Sequence, residues 1–99
     1  MNYQDILIEN IKHYRKLLDY SQEKLAEEAK VSKSTIGQIE IGKNTPKFKN
    51  LIAIAKALHI EPFLLLKKRS YNLDDAYSDP TQLAAEIALI LEKNRQNRE

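Results

Sequence analysis

Residues 21–43 read SQEKLAEEAKVSKSTIGQIEIGK. Ser21 is a helix N-cap residue, and Gln22 and Glu23 open a helix whose inward positions are Leu25, Ala26 and Ala29. After Val31, Ser32 caps a further helix that runs to about Ile41, with Ile36 and Ile39 turned inward and Gly42 ending it. About three residues join the two helices, the spacing of a helix-turn-helix. Helices cross closely only where side chains are small, and Ala26 and Ala29 supply that. Ile36 and Ile39 anchor the second helix, which leaves Lys33, Ser34, Gly37, Gln38 and, at its end, Ile41 on a free face.

Working outward, the flanking periods are helical too. Leu7, Ile11, Tyr14 and Leu18 recur at i, i+4, i+7 and i+11, a single apolar stripe that Asp19 and Tyr20 interrupt. Downstream, a polar loop around Pro46 leads to a fourth helix marked by Phe48, Leu51, Ile52, Ala55 and Leu58. A short fifth helix spans roughly Glu61 to Lys67. Residues 70–79 are polar and acidic, without periodicity, and are expected to be a linker. Asp79-Pro80 then opens a sixth helix, residues 80–94, striped by Leu83, Ile87, Ile90 and Leu91, and residues 95–99 are expected to fray. The fold class is all-α: a five-helix domain over residues 1–69 followed by an amphipathic C-terminal helix.

A chain of 99 residues has room for one domain and an appendage, and one this short is not expected to enclose a deep substrate cavity. Its 42% hydrophobic and 30% charged residues are a globular composition. No basic-then-apolar leader opens the chain, and no apolar run approaches the length that spans a bilayer, so a cytoplasmic protein is expected. With no cysteine, there is neither a disulfide frame nor a thiol nucleophile. The net charge of +2 hides a polarity. Residues 30–69 carry nine basic groups against Glu40 and Glu61, while residues 1–29 hold four basic and six acidic groups and residues 70–99 three and six. Two readings of this basic middle stand: a face for a polyanion, or a solvated lysine-rich surface.

The helix-turn-helix favours the first. In that motif the second helix enters the major groove of DNA, with its N-terminal residues at the base edges. Gln38 can donate and accept at once, which suits an adenine edge, and Lys33 suits guanine. Catalysis finds no comparable support. His13 and His59 share no ligand spacing, so no metal is expected. Glu27-Glu28 and Asp74-Asp75 are sequence neighbours, with no nucleophile or glycine-rich loop beside them. No cofactor, small-molecule substrate or enzymatic activity is expected.

Residues 11–66 resemble the Cro/XRE-type, or lambda-repressor-like, helix-turn-helix regulators. The resemblance rests on Ile11-x-x-Tyr14-Arg15, Ser21-Gln22-Glu23-x-Leu25-Ala26, Val31-Ser32, Ile36, Ile39-Glu40-x-Gly42-Lys43, Pro46, Leu51 and Ala55-x-x-Leu58. It implies base contacts from Lys33, Ser34 and Gln38, and backbone contacts from Gln22, Thr35, Gly37, Lys43 and Asn44. It also implies a structural ion pair between Arg15 and Glu40, and a nucleoid-associated repressor as the commonest activity.

The chain departs from the family pattern in two ways. Asp19, Lys30 and His59 stand where helix-ending glycines are common, and Lys30 is the poorest substitute for a left-handed turn. Gly37 and Ile41 stand where polar residues are usual. Ile41 is open to three roles: meeting a thymine methyl, packing on a partner, or standing exposed. Lys67-Lys68-Arg69 either clamps DNA backbone or flanks a helix end.

Such folds read two half-sites about 34 Å apart as symmetric dimers. A homodimer on double-stranded DNA is therefore expected, held through the fifth and sixth helices by Leu83, Ile87, Ile90 and Leu91, with packing inside the chain as the alternative. The rival functions are an antitoxin or other protein-interaction module with secondary DNA binding, and a restriction–modification controller.

Overall fold

The computed structural model describes residues 2–69 and 80–96, and every element among them is helical. Four α-helices, α1 (Tyr3–Leu17), α2 (Gln22–Ala29), α3 (Lys33–Glu40) and α4 (Phe48–Ala57), precede a 3-10 helix (Pro62–Leu66) and a C-terminal helix (Pro80–Gln96). The expected linker lies outside the described residues.

Short polar side chains start the first three helices. Asn2 Oδ1 accepts from the Asp5 amide at 2.9 Å, Ser21 Oγ from the Lys24 amide at 2.9 Å and Ser32 Oγ from the Thr35 amide at 3.0 Å. The turns that end α1 to α4 share one hydrogen-bond pattern. A residue with positive φ follows each helix, and the amide after it reaches back five residues: Tyr20 to the Arg15 carbonyl, Val31 to Ala26, Lys43 to Gln38 and Ile60 to Ala55, at 2.9–3.1 Å. Only one of these positions holds glycine, Gly42 at φ 82°; Asp19, Lys30 and His59 take φ of 59–60° with a Cβ in place. These are the three positions where the sequence replaces a helix-ending glycine.

α2 packs against α3 and α4, while α1 packs against α3, the 3-10 helix and the C-terminal helix. Between them lies one core that includes Leu7, Ile11, Tyr14, Leu25, Ile36, Ile39, Ile54, Leu58 and Leu65. The buried Tyr14 hydroxyl has no hydrogen-bond partner among the described residues, and burial pushes its pKa up to about 12. Asn10, also buried, joins two elements. Its Nδ2 donates to the carbonyls of Leu64, Leu65 and Lys67 at 3.2, 2.9 and 2.8 Å, and its Oδ1 accepts from Arg69 Nε at 3.0 Å.

Several expectations need correction. The fifth helix stands where expected, one residue inside the rough span from Glu61 to Lys67 at each end, but it is a 3-10 rather than an α-helix. In α4 the inward row is Leu51, Ile54, Ala55 and Leu58, at i, i+3, i+4 and i+7, so Phe48 and Ile52 are exposed rather than core. The C-terminal helix extends through Gln96, and Arg95 is helical, paired with Glu92, rather than frayed.

That helix packs on the core by a side other than the Leu83, Ile87, Ile90 and Leu91 stripe. Leu89 is 1% exposed and Ala85 packs against the core, whereas Ile87, Ile90 and Leu91 face outward. The Leu83 side chain lies outside the described residues. Glu86 meets His13 at 2.7 Å and Lys93 meets Asp19 at 2.8 Å, so charged contacts bracket Leu89 along α1.

Candidate nucleic-acid interface

α3 owes its position to its two faces. Ile36 and Ile39, both at most 1% exposed, fix the inner one. Glu40, 3% exposed at the end of the helix, ties it to α1: Arg15 Nε donates to Glu40 Oε2 at 2.7 Å, and Arg15 Nη2 donates to Oε1 at 3.0 Å. Arg15 Nη1 donates to the Tyr20 carbonyl at 2.8 Å, so the guanidinium is held at both ends. A carboxylate this deeply buried depends on such pairing, since the unpaired charge would carry a large desolvation cost.

The outer face of α3 forms an open groove of about 530 Å³ with the start of α2. Its walls are Gln22, Lys33, Ser34, Gly37, Gln38 and Ile41, and they are mainly apolar. Lys33 and Ser34 are exposed, and Gln38 is half-buried beneath them. Lys43 and Asn44 follow on the exposed turn after α3. Asn44 Nδ2 donates to Gln38 Oε1, and Gln38 Nε2 points to Ser34 Oγ at 3.4 Å. Across the groove, Gln22 Nε2 donates to Glu40 Oε1 at 3.0 Å. Thr35 lies outside the groove walls, its hydroxyl paired with Ser32 Oγ at 2.8 Å.

The structure thus brings together the three side chains assigned to bases and two of those assigned to the backbone, Gln22 and Gly37, with Lys43 and Asn44 beside them. What sequence reasoning missed is the amide network linking them. The i, i+4 spacing of Ser34 and Gln38 was the available signal for one link. Nothing local announced the reach from Gln22 to Glu40, which spans 18 residues.

Chemically, the groove offers amide donors and acceptors, a hydroxyl and a lysine cation around an apolar floor. Donors, acceptors and hydrocarbon are the kinds of group that base edges present in a major groove. Among the described residues no group of His, Cys, Asp and Glu could hold a metal ion, and no helix is long and apolar enough to cross a membrane.

A family model described as helix-turn-helix matches residues 11–65. Control protein C.SmaI of Serratia marcescens is 36% identical over 73 residues, which is 73% of this chain and 87% of the relative. An uncharacterized HTH-type transcriptional regulator derived from the SPbeta prophage of Bacillus subtilis is 32% identical over 79 residues, 78% of this chain and 73% of that protein. No solved structure gives a significant match.

Proposed function

The chain belongs to the helix-turn-helix family of DNA-binding transcriptional regulators, and from that premise we propose how it binds: α3 lies in a major groove, one chain per half-site, in a homodimer. The observation that carries this reading is the exposed groove in which Gln22 of α2 meets Lys33, Ser34 and Gln38 of α3. Lys33, Ser34 and Gln38 read bases. Gln22, Thr35, Lys43 and Asn44 follow the sugar-phosphate backbone, and Gly37 lies beside that backbone or at the groove floor.

The dimer is supported by the C-terminal helix, which docks one side on α1 and leaves Ile87, Ile90 and Leu91 uncovered on the other. Occupancy of the operator then represses by excluding polymerase, without a cofactor, in the cytoplasm where the chromosome lies. A controller role within the regulator class is the second reading, favoured by the likeness to a control protein.

Titration of matched and mismatched duplexes tests the assignment. Gln38→Ala is expected to lose about 1–3 kcal/mol of discrimination at one base pair, while Lys43→Ala weakens binding to every duplex alike and flattens the salt dependence. Equal losses on matched and mismatched duplexes for Gln38→Ala would remove it from the base-reading set.

A further inference from the structure

We propose that the groove over Gly37 seats the 5-methyl group of a pyrimidine, with Ile41 as its closing wall; the proposal rests on the DNA-binding reading above. Lys33, Gly37 and Ile41 stand at i, i+4 and i+8, one outward row of α3 that is charged at its start, bare in the middle and apolar at its end. The bare step is a real depression. A Cβ at Gly37 would rest in ordinary contact with Gln22 Oε1 at 3.7 Å and crowd nothing else outside its own helix, so a methyl-sized space lies beside that oxygen.

Two of the nearby amide atoms have protein partners, Gln22 Nε2 in Glu40 and Gln38 Oε1 in Asn44, which leaves Gln22 Oε1 at the rim of the seat and Gln38 Nε2 beside Ser34. What faces outward is mainly hydrocarbon, and Ile41 stays 67% exposed beside it. An apolar seat in a surface that meets a major groove has one chemical counterpart there, the methyl at pyrimidine C5. Thymine carries it in ordinary DNA, and 5-methylcytosine carries it in modified DNA.

The experiment uses a duplex selected by the full-length protein from a random pool. Each thymine is replaced in turn by deoxyuridine, and each cytosine by 5-methylcytosine. Wild type, Ile41→Ala and Gly37→Ala are titrated against the series, with circular dichroism confirming the fold. One position per half-site is expected to respond to its methyl by about fivefold in wild type. At that position Ile41→Ala responds much less, which marks the pair as coupled. Gly37→Ala, whose new methyl fills the seat, loses the same response while melting at a higher temperature, since alanine is the better helix residue.

A response to deoxyuridine assigns the seat to thymine; a response only to added methyl groups assigns it to 5-methylcytosine. Sequence-specific binding with no methyl response coupled to Ile41 overturns the proposal alone. An equal loss on every duplex for Ile41→Ala also overturns it, in favour of a backbone contact. Failure to select any sequence overturns the DNA-reading assignment together with it.

Discussion

Lys30 holds φ 60° and ψ 41°, a left-handed conformation that crowds its Cβ against the backbone. It does so because the turn between α2 and α3 needs that bend for the Val31 amide to reach the Ala26 carbonyl at 2.9 Å. The side chain is exposed, so glycine removes the crowding at little cost in packing. Lys30→Gly is expected to stabilise the fold by about 1 kcal/mol, read as a higher urea midpoint with an unchanged slope. Asp19 and His59 bear the same φ, and their identities made these turns legible as places where a glycine had been replaced. The Tyr14 hydroxyl was not legible in this way. Its position on an apolar stripe predicts burial, but no spacing predicts that the buried hydroxyl lacks a partner among the described residues.

Elements with strong local signals were read correctly: serine caps and a 3.6-residue period located α2 and α3 to within a residue. Where the outcome depends on partners distant in the chain, the reading failed. α4 shows five apolar positions that fit more than one row, and its contacts with α2 and the 3-10 helix decide that Ile54 goes in and Phe48 stays out. The side by which the C-terminal helix meets the core is likewise set at a distance: Leu89 and Ala85 pack inward, flanked by the pairs Glu86–His13 and Lys93–Asp19. Asn10 is the clearest case, because it reaches carbonyls 54 to 57 residues away. Asn10→Ala leaves those carbonyls buried or half-buried without their donor, and is expected to cost about 2–3 kcal/mol in chemical denaturation. Loss of that size would mark the 3-10 helix as pinned by this one side chain; a cost near zero would show that the 3-10 helix holds its place by apolar packing.

Across the whole molecule, α1 and the turn that ends it are the common support, meeting the C-terminal helix at His13 and Asp19 and the end of α3 at Arg15. Burial lowers the His13 pKa below 6.5; the hydrogen bond to Glu86 opposes this and nearby Arg69 adds to it. A folded-state pKa below the unfolded value means that the unfolded chain binds the proton first. The associated stability is therefore complete above about pH 6.5 and falls as pH drops toward the folded-state pKa. Thermal midpoints at about pH 7.5 and about pH 5.5 are expected to fall further apart in wild type than in His13→Gln. Equal shifts would remove His13 from the account.

The Arg15–Glu40 pair behaves differently from the lysines around it. Lys43, the lysine proposed to follow the DNA backbone, stands in water, where added ions screen it, but Glu40 is sealed from solvent and held at 2.7 Å. Ionic strength can therefore loosen the grip of the protein on phosphates while the reading helix keeps its posture. A cell that swells or dries would change how long the regulator stays on its operator, but not which operator it chooses.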